Sequence, residues 1–131
     1  MRKKSFLVIS ILLLILLFIG YNMYNKEVDK VADLKTDQKV EAKTLLTEFE
    51  SDELAANKLY LDKTIEVSGM VTKVEENEGI TSVYLASEEG LSAVICQMEE
   101  AVNVAVGSEI VVKGVCSGYL MDVIMVRCII L

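Results

Sequence analysis

Histidine is missing from this 131-residue sequence, and with it the side chain that most often serves as general base or zinc ligand. Cysteine is scarce. Cys96, Cys116 and Cys128 form no Cys-x-x-Cys pair and have no inward-patterned acid beside them, so zinc lacks a credible fourth ligand. None of the seven glycines builds a phosphate-cradling loop. Acid pairs such as Asp52 and Glu53 occur, but adjacent residues on a helix point in different directions. A catalytic base or nucleophile needs an orienting partner, and no such arrangement can be written here. The chain reads as a non-enzyme without a cofactor or metal motif.

Positive charge is the next shortage. Beyond residue 24 there are ten Lys/Arg against twenty Asp/Glu, a net charge of −10. From residue 65 onward only Lys73, Lys113 and Arg127 stand against ten acids. Affinity for nucleic acid comes from neutralising phosphates with Lys and Arg, so this composition argues against nucleic acid and against anionic headgroups. The acidic "EENEG" (75–79) lacks the alternating oxygen-ligand spacing of a calcium loop and reads as a solvated turn.

What the sequence does contain begins at its amino end. Arg2, Lys3 and Lys4 precede an apolar run over residues 6–19 whose one polar residue is Ser10. Residues 5–24 reach the roughly 20 positions needed to cross a bilayer, with Tyr21 and Tyr24 at the interfacial position. A secretory signal peptide would end in a small-residue cleavage site, whereas "IGYNMYNK" is bulky there. No cysteine follows to accept a lipid. The expectation is an uncleaved signal anchor over residues 1–24, a single span whose basic start stays in the cytoplasm and places the rest outside.

Residues 25–39 mix charges around a few small apolar residues and read as a frayed helical or extended stalk. Leu45, Leu46 and Phe49, then Leu54, Ala55, Leu59 and Tyr60, recur at helical spacing. The pattern predicts two short helices, or one broken near Ser51, ending by Asp62. Ser51 is the predicted N-cap, with Asp52 and Glu53 in the first turn. After Lys63 the period becomes two. Strands are predicted over 64–76, 80–87, 91–98, 108–118 and 122–131, with turns at 75–79 and 87–90 and a helical or irregular connection at 99–107. Gly69 inside the first strand predicts a bulge or sharp bend.

Five strands in this rhythm match the OB-fold, a small Greek-key barrel. The predicted architecture is mainly β with α: a five-stranded barrel over residues 40–131, preceded by one or two short helices and the transmembrane helix. "DELAANKLYLDKTIEVSGMV" (52–71) resembles the bacterial tRNA-anticodon-like OB-fold family of envelope proteins. The matching positions are Glu53, Ala56, Asn57, Tyr60, Lys63, Val67 and Gly69. The carboxyl end, "VVKGVCSGYLMDVIMVRCII", is similar to that family's last hairpin. The resemblance implies a membrane-anchored or lipoprotein envelope protein, and the tRNA in the name reflects fold similarity.

Period-two geometry points Cys96, Cys116 and Cys128 into the barrel, with Gln97, Glu109, Lys113 and Arg127 outward and Ile124 and Val126 inward. Buried thiols act as small hydrophobes. A disulfide between Cys116 and Cys128 remains open if a wide loop brings them face to face; a tight hairpin would leave them out of register. Cys96 is another partner, because the third and fifth strands neighbour one another in this fold.

OB-folds bind on the outer face of strands two and three and on the loops joining strands one to two and four to five. Tyr84 is the aromatic expected to face outward there, and the Tyr119-Leu120-Met121 tip occupies the four–five loop. Two readings stand for that tip: an acid-rimmed apolar patch, or a plug in which Tyr119 or Leu120 folds over the barrel end. Asp122 is expected to accept a backbone hydrogen bond. The functional expectation is a membrane-anchored extracytoplasmic binding module for another envelope protein, a peptide or a small ligand. The alternatives are an oligonucleotide-binding OB domain and a thiol- or disulfide-stabilised structural envelope protein.

Overall fold

A computed structural model of the chain describes residues 2–25, 29–86 and 91–131; the predicted turn at 87–90 lies outside these residues. Helix α1 (Arg2–Tyr24) is apolar on every side and exposed along its described length. It is long and apolar enough to cross a membrane. An all-round apolar helix of this length has no stable place in water.

A single turn of 3-10 helix (Val31–Asp33) leads to strand β1 (Gln38–Glu41), then to helices α2 (Ala42–Ser51) and α3 (Glu53–Tyr60). The strands β2 (Thr64–Asn77), β3 (Ile80–Ala86), β4 (Val94–Met98), β5 (Glu109–Leu120) and β6 (Asp122–Ile130) follow. Their order is β2-β3-β4-β6-β5, and β5 pairs back to β2, which closes the barrel. β4 and β6 form the parallel seam; the other barrel pairs are antiparallel. These are the five strands expected from the sequence, in an OB-fold. Residues 99–107 are irregular rather than helical.

Alternate residues of every strand fill the interior. Ile65, Val67, Val71, Val83, Leu85, Val94, Val112, Val123 and Met125 are fully buried, and all three cysteines lie among them. Helices α2 and α3 contribute Leu45, Leu46, Phe49, Ala56 and Tyr60 to the same core. The helix break falls at Asp52, whose carboxylate accepts from the Ala55 N–H at 3.1 Å. Asp52 is therefore the N-cap in place of Ser51, which ends α2.

Three strand details depart from the period-two reading. Gly69 sits in regular pairing with Ile110, and the β2 irregularity falls between Val71 and Lys73. Gly69 serves a close approach instead: a Cβ there would lie 2.9 Å from the Ala42 Cβ. On β6, an extra residue is accommodated near Arg127, whose φ is +55°. That bulge shifts the phase, so Val123 and Met125 are buried, whereas Ile124 and Val126 are half-exposed, the reverse of the expectation. Finally, β2 continues through Asn77 and the turn tightens to Glu78–Gly79, both at positive φ, so Glu75 and Glu76 are strand residues.

Within the segment expected as a frayed stalk, residues 29–39 are folded onto the barrel. Val31 is completely buried. Asp37 and Thr64 exchange two hydrogen bonds, from the Asp37 N–H to the Thr64 carbonyl and from the Thr64 N–H to the Asp37 carboxylate. β1 then runs parallel to β2 as a sixth strand. Glu66 accepts from the Thr36 hydroxyl at 2.6 Å and pairs with Lys39 at 3.1 Å, and these two contacts hold its carboxyl below the usual range. Lys113, expected in solvent, is only 7 % exposed because this segment covers it. Its Nζ donates to the carbonyls of Ala32 and Leu34. The side chain of Arg127 donates to the carbonyl of Asp29.

Lys113→Met keeps most of the aliphatic stem and removes the donors. It should cost about 1–3 kcal/mol, because two carbonyls lose their partner. Limited proteolysis should then cut first within residues 29–41; an unchanged digestion pattern would show that the lysine does not hold the segment.

Candidate functional site

Cross-strand register puts four side chains in one row over the outer surface of β2, β3, β4 and β6: Lys73, Tyr84, Ile95 and Ile124. Directly paired residues share a face, so this row lies on the side opposite the buried Val71–Leu85–Val94–Val123 row. Tyr84, Ile95 and Ile124 are half-buried and make a shallow apolar strip. The Tyr84 hydroxyl donates to Glu75 at 2.6 Å, and Lys73 both pairs with Glu75 and lies 5.2 Å from the Tyr84 ring centre. Glu75 is held below the usual carboxylate range, first by Lys73 and then by Tyr84, and the Tyr84 hydroxyl is pushed up chiefly by its bond to Glu75.

The β5–β6 hairpin closes more tightly than a wide loop. Leu120 pairs with Asp122, leaving Met121 alone at the tip with φ +64°. Asp122 accepts from the Ala93 N–H at 2.7 Å, the backbone bond expected of it, and so ties the hairpin base to the start of β4. Leu120 and Met121 are each 81 % exposed. Tyr119 turns the other way: its ring stacks on Phe49 at 5.4 Å, over the end of the core. A cleft of about 330 Å³ separates the hairpin from α3. Glu53 and Asn57 form one wall, Tyr119, Leu120 and Ile124 the other. Ile124 belongs to both cleft and strip, so the two are continuous. The structure thus brings Tyr119, Leu120 and Met121 together and links them to Tyr84 through Ile95 and Ile124. Ile124 was missed from sequence because the bulge near Arg127 inverts its facing.

The thiols are free. The tight hairpin puts Cys116 opposite Met125 and leaves Cys128 three β6 positions further on, so no Cys116–Cys128 bond is present. Burial pushes the Cys116 thiol up.

The tRNA_anti-like family model matches residues 1–130. The chain belongs to the tRNA_anti-like family. Comparison of this tRNA_anti-like chain with the curated proteins finds no match. Among solved structures it is similar to a lipoprotein of Klebsiella pneumoniae subsp. pneumoniae for which nucleic acid binding is a provisional assignment. The two share 14 % identity over 82 % of this chain and 99 % of that one, with a TM-score of 0.54. At that identity the likeness is one of fold. In the tRNA_anti-like chain itself, the feature that points to a membrane is α1, long and apolar enough to cross one.

Tyr60 links the helices by donating its hydroxyl to Glu48, and burial followed by this bond pushes its pKa up to about 12. The fold therefore favours the protonated phenol. Stability from this group is intact below pH 10 and is lost as pH rises towards 12, so unfolding midpoints should fall across that window. Tyr60→Phe should flatten the decline; a decline of unchanged steepness would exclude Tyr60 as its source. Tyr119→Ala removes a ring that covers the core and should cost about 1–3 kcal/mol in urea unfolding.

Proposed function

We propose that this chain is a single-pass membrane protein that holds its barrel outside the cytoplasm and docks another polypeptide on the Tyr84–Ile95–Ile124 strip and the Leu120–Met121 tip. The observation that carries this reading is the fate of the cations. All three basic side chains after residue 65 are engaged within the chain: Lys73 with Glu75, Lys113 under the carbonyls of Ala32 and Leu34, Arg127 on the carbonyl of Asp29. Among the described residues of this face the one cation, Lys73, is paired with Glu75, while Glu75 and Glu53 border the apolar surface that a phosphate backbone would meet. Single-strand binders combine a basic groove with several stacking aromatics. Here one tyrosine is tied to a carboxylate and the other is stacked on the core.

Met121 supports the same reading from energetics. A left-handed backbone costs a residue with a β-carbon about 1–2 kcal/mol, and glycine would avoid it. Keeping a large, exposed apolar side chain there disfavours both folding and solubility, which fits a residue retained for contact. Arg2, Lys3 and Lys4 favour a cytoplasmic amino end and hence an external barrel. A second reading, an oligonucleotide site on the same face, draws its support from the provisional nucleic-acid-binding assignment of the Klebsiella pneumoniae lipoprotein.

Photo-crosslinking from position 121 in intact cells should capture a protein partner. Met121→Gly should leave stability within about 1 kcal/mol of the parent and reduce capture at least several-fold, read with a crosslinker at 120. Equal capture by the glycine variant would remove the tip from the interface. An electrophoretic shift at low salt with single-stranded oligonucleotides should show no retention, and tight retention would favour the second reading.

A further inference from the structure

Where a strand runs past its partner in this barrel, its edge is left open. β5 loses β2 after Val115. The Cys116 carbonyl still accepts from the Asp62 N–H at 2.8 Å, and the Cys116 N–H donates to the Lys63 carbonyl at 3.0 Å. Beyond that point residues 117–120 have β6 on one side and, among the described residues, no strand on the other. An open edge invites an added strand, and charged side chains are the usual deterrent. β1, which pairs with β2 alone, carries Lys39 and Glu41, and the open reach of β2 beyond Val71 carries Lys73, Glu75 and Glu76. Residues 117–120, Ser-Gly-Tyr-Leu, carry no charge. This edge faces the cleft of about 330 Å³ beside α3. Gly118, at φ +142°, sends no side chain into that space, where a Cβ would meet only Leu61, at 3.9 Å. A bare glycine in a strand suits the close approach of another backbone. Glu53 and Asn57 stand across the cleft, and no cation is among the described residues that line it.

We infer that the docked polypeptide is held as an added strand, an extended segment that lies along residues 117–120 of β5 and brings a Lys or Arg to Glu53. The inference rests on the docking proposed above and goes on to name how the partner is gripped. The segment takes the place beside β5 that β2 leaves empty before Thr64. Four residues of strand span about 13 Å, enough for a short ladder of main-chain hydrogen bonds. Those bonds supply affinity whatever the sequence, and alternate side chains supply specificity. Ile124, shared by cleft and strip, carries the contact on to Ile95 and Tyr84. Glu53 is exposed in the first turn of α3, so a cation on the incoming segment is attracted and an acidic segment is repelled. A second copy of this chain would bring the same excess of acid, with a net charge of −10 beyond residue 24. A different polypeptide, basic at the segment that docks, is the occupant the charges favour.

The test uses the full chain in detergent and a synthetic peptide of alternating Val and Ser with Lys at one end. Binding should saturate with a Kd of about 1 mM or tighter, because main-chain recognition tolerates sequence. Hydrogen exchange should slow at the amides of residues 117–120 when the peptide is bound. The same peptide with its amides N-methylated should bind at least about ten-fold more weakly, since it has no main-chain donors. Ser117→Lys puts a charge on the edge and should weaken binding by a similar factor, with Tm unchanged to within about 2 °C. Glu53→Gln should weaken it by about three-fold and flatten its salt dependence. No saturation, equal binding of the N-methylated peptide, or slowed exchange confined to Tyr84, Ile95 and Ile124 overturns the added strand. In intact cells, photo-crosslinkers at 117 and at 120 should capture one and the same partner. Capture from 120 without capture from 117 leaves the docking reading standing and overturns the added strand, whereas capture from neither overturns both. A linked peptide belonging to this chain makes the occupant a second copy and overturns the partner named here.

Discussion

Covering Lys113 is the constraint on which the arrangement of this domain depends. An amine on the outer wall of a barrel ordinarily sits in water at no cost. Here residues 29–41 lie across it, and removing its hydration is tolerable because two main-chain carbonyls replace the lost water. The same act satisfies carbonyls in a segment too short to pair them itself. Val31 fills the space beneath, Asp37 clasps Thr64 from both sides, and β1 continues along the edge of β2 that β3 leaves free. β1 then delivers Ala42 against Gly69, where only hydrogen fits, and so fixes where α2 begins. From α2 come Phe49 and Glu48, which seat Tyr119 and Tyr60. The apolar tip is thus positioned by a chain of contacts that starts far from it in sequence.

The candidate face follows from how the barrel manages its irregularities. An uninterrupted β6 would have buried Ile124 and exposed Val123. The bulge near Arg127 lets both ends of the strand keep an apolar inner face while turning Ile124 out beside Ile95 and Tyr84. The surface is apolar in its middle because of a backbone device rather than an excess of hydrophobic residues. Its edge is acidic because cations nearby are already engaged.

Much of the fold was legible in the sequence because it rests on local periodicity. The change from helical spacing to alternation after Lys63, and the five strand-length runs, are direct consequences of one-sided burial. The helix break was found one residue early, since Ser51 and Asp52 offer equally suitable capping oxygens and only the geometry selects Asp52. Tyr84 was recognisable by alternation as the outward aromatic of its strand, and the 119–121 tip because large apolar residues at a turn are conspicuous. The facing of Ile124 was not recognisable, because a bulge changes phase without a sequence marker when the residue involved is arginine rather than glycine. Nor was the docked segment. Its side chains and carbonyls bond to Glu66, Lys113 and Thr64, none of them near it in the chain, and no window of local sequence contains that information.

Folding residues 29–41 onto the barrel also shortens the leash. Only residues 26–28 separate Asn25, at the end of the apolar helix, from Asp29 beside Arg127. Four fully extended steps reach at most about 14 Å. On the single-pass reading proposed above, a head domain on so brief a strap stays beside the lipid surface, and a protein that docks on it has to travel in, or come right down to, the same sheet of lipid.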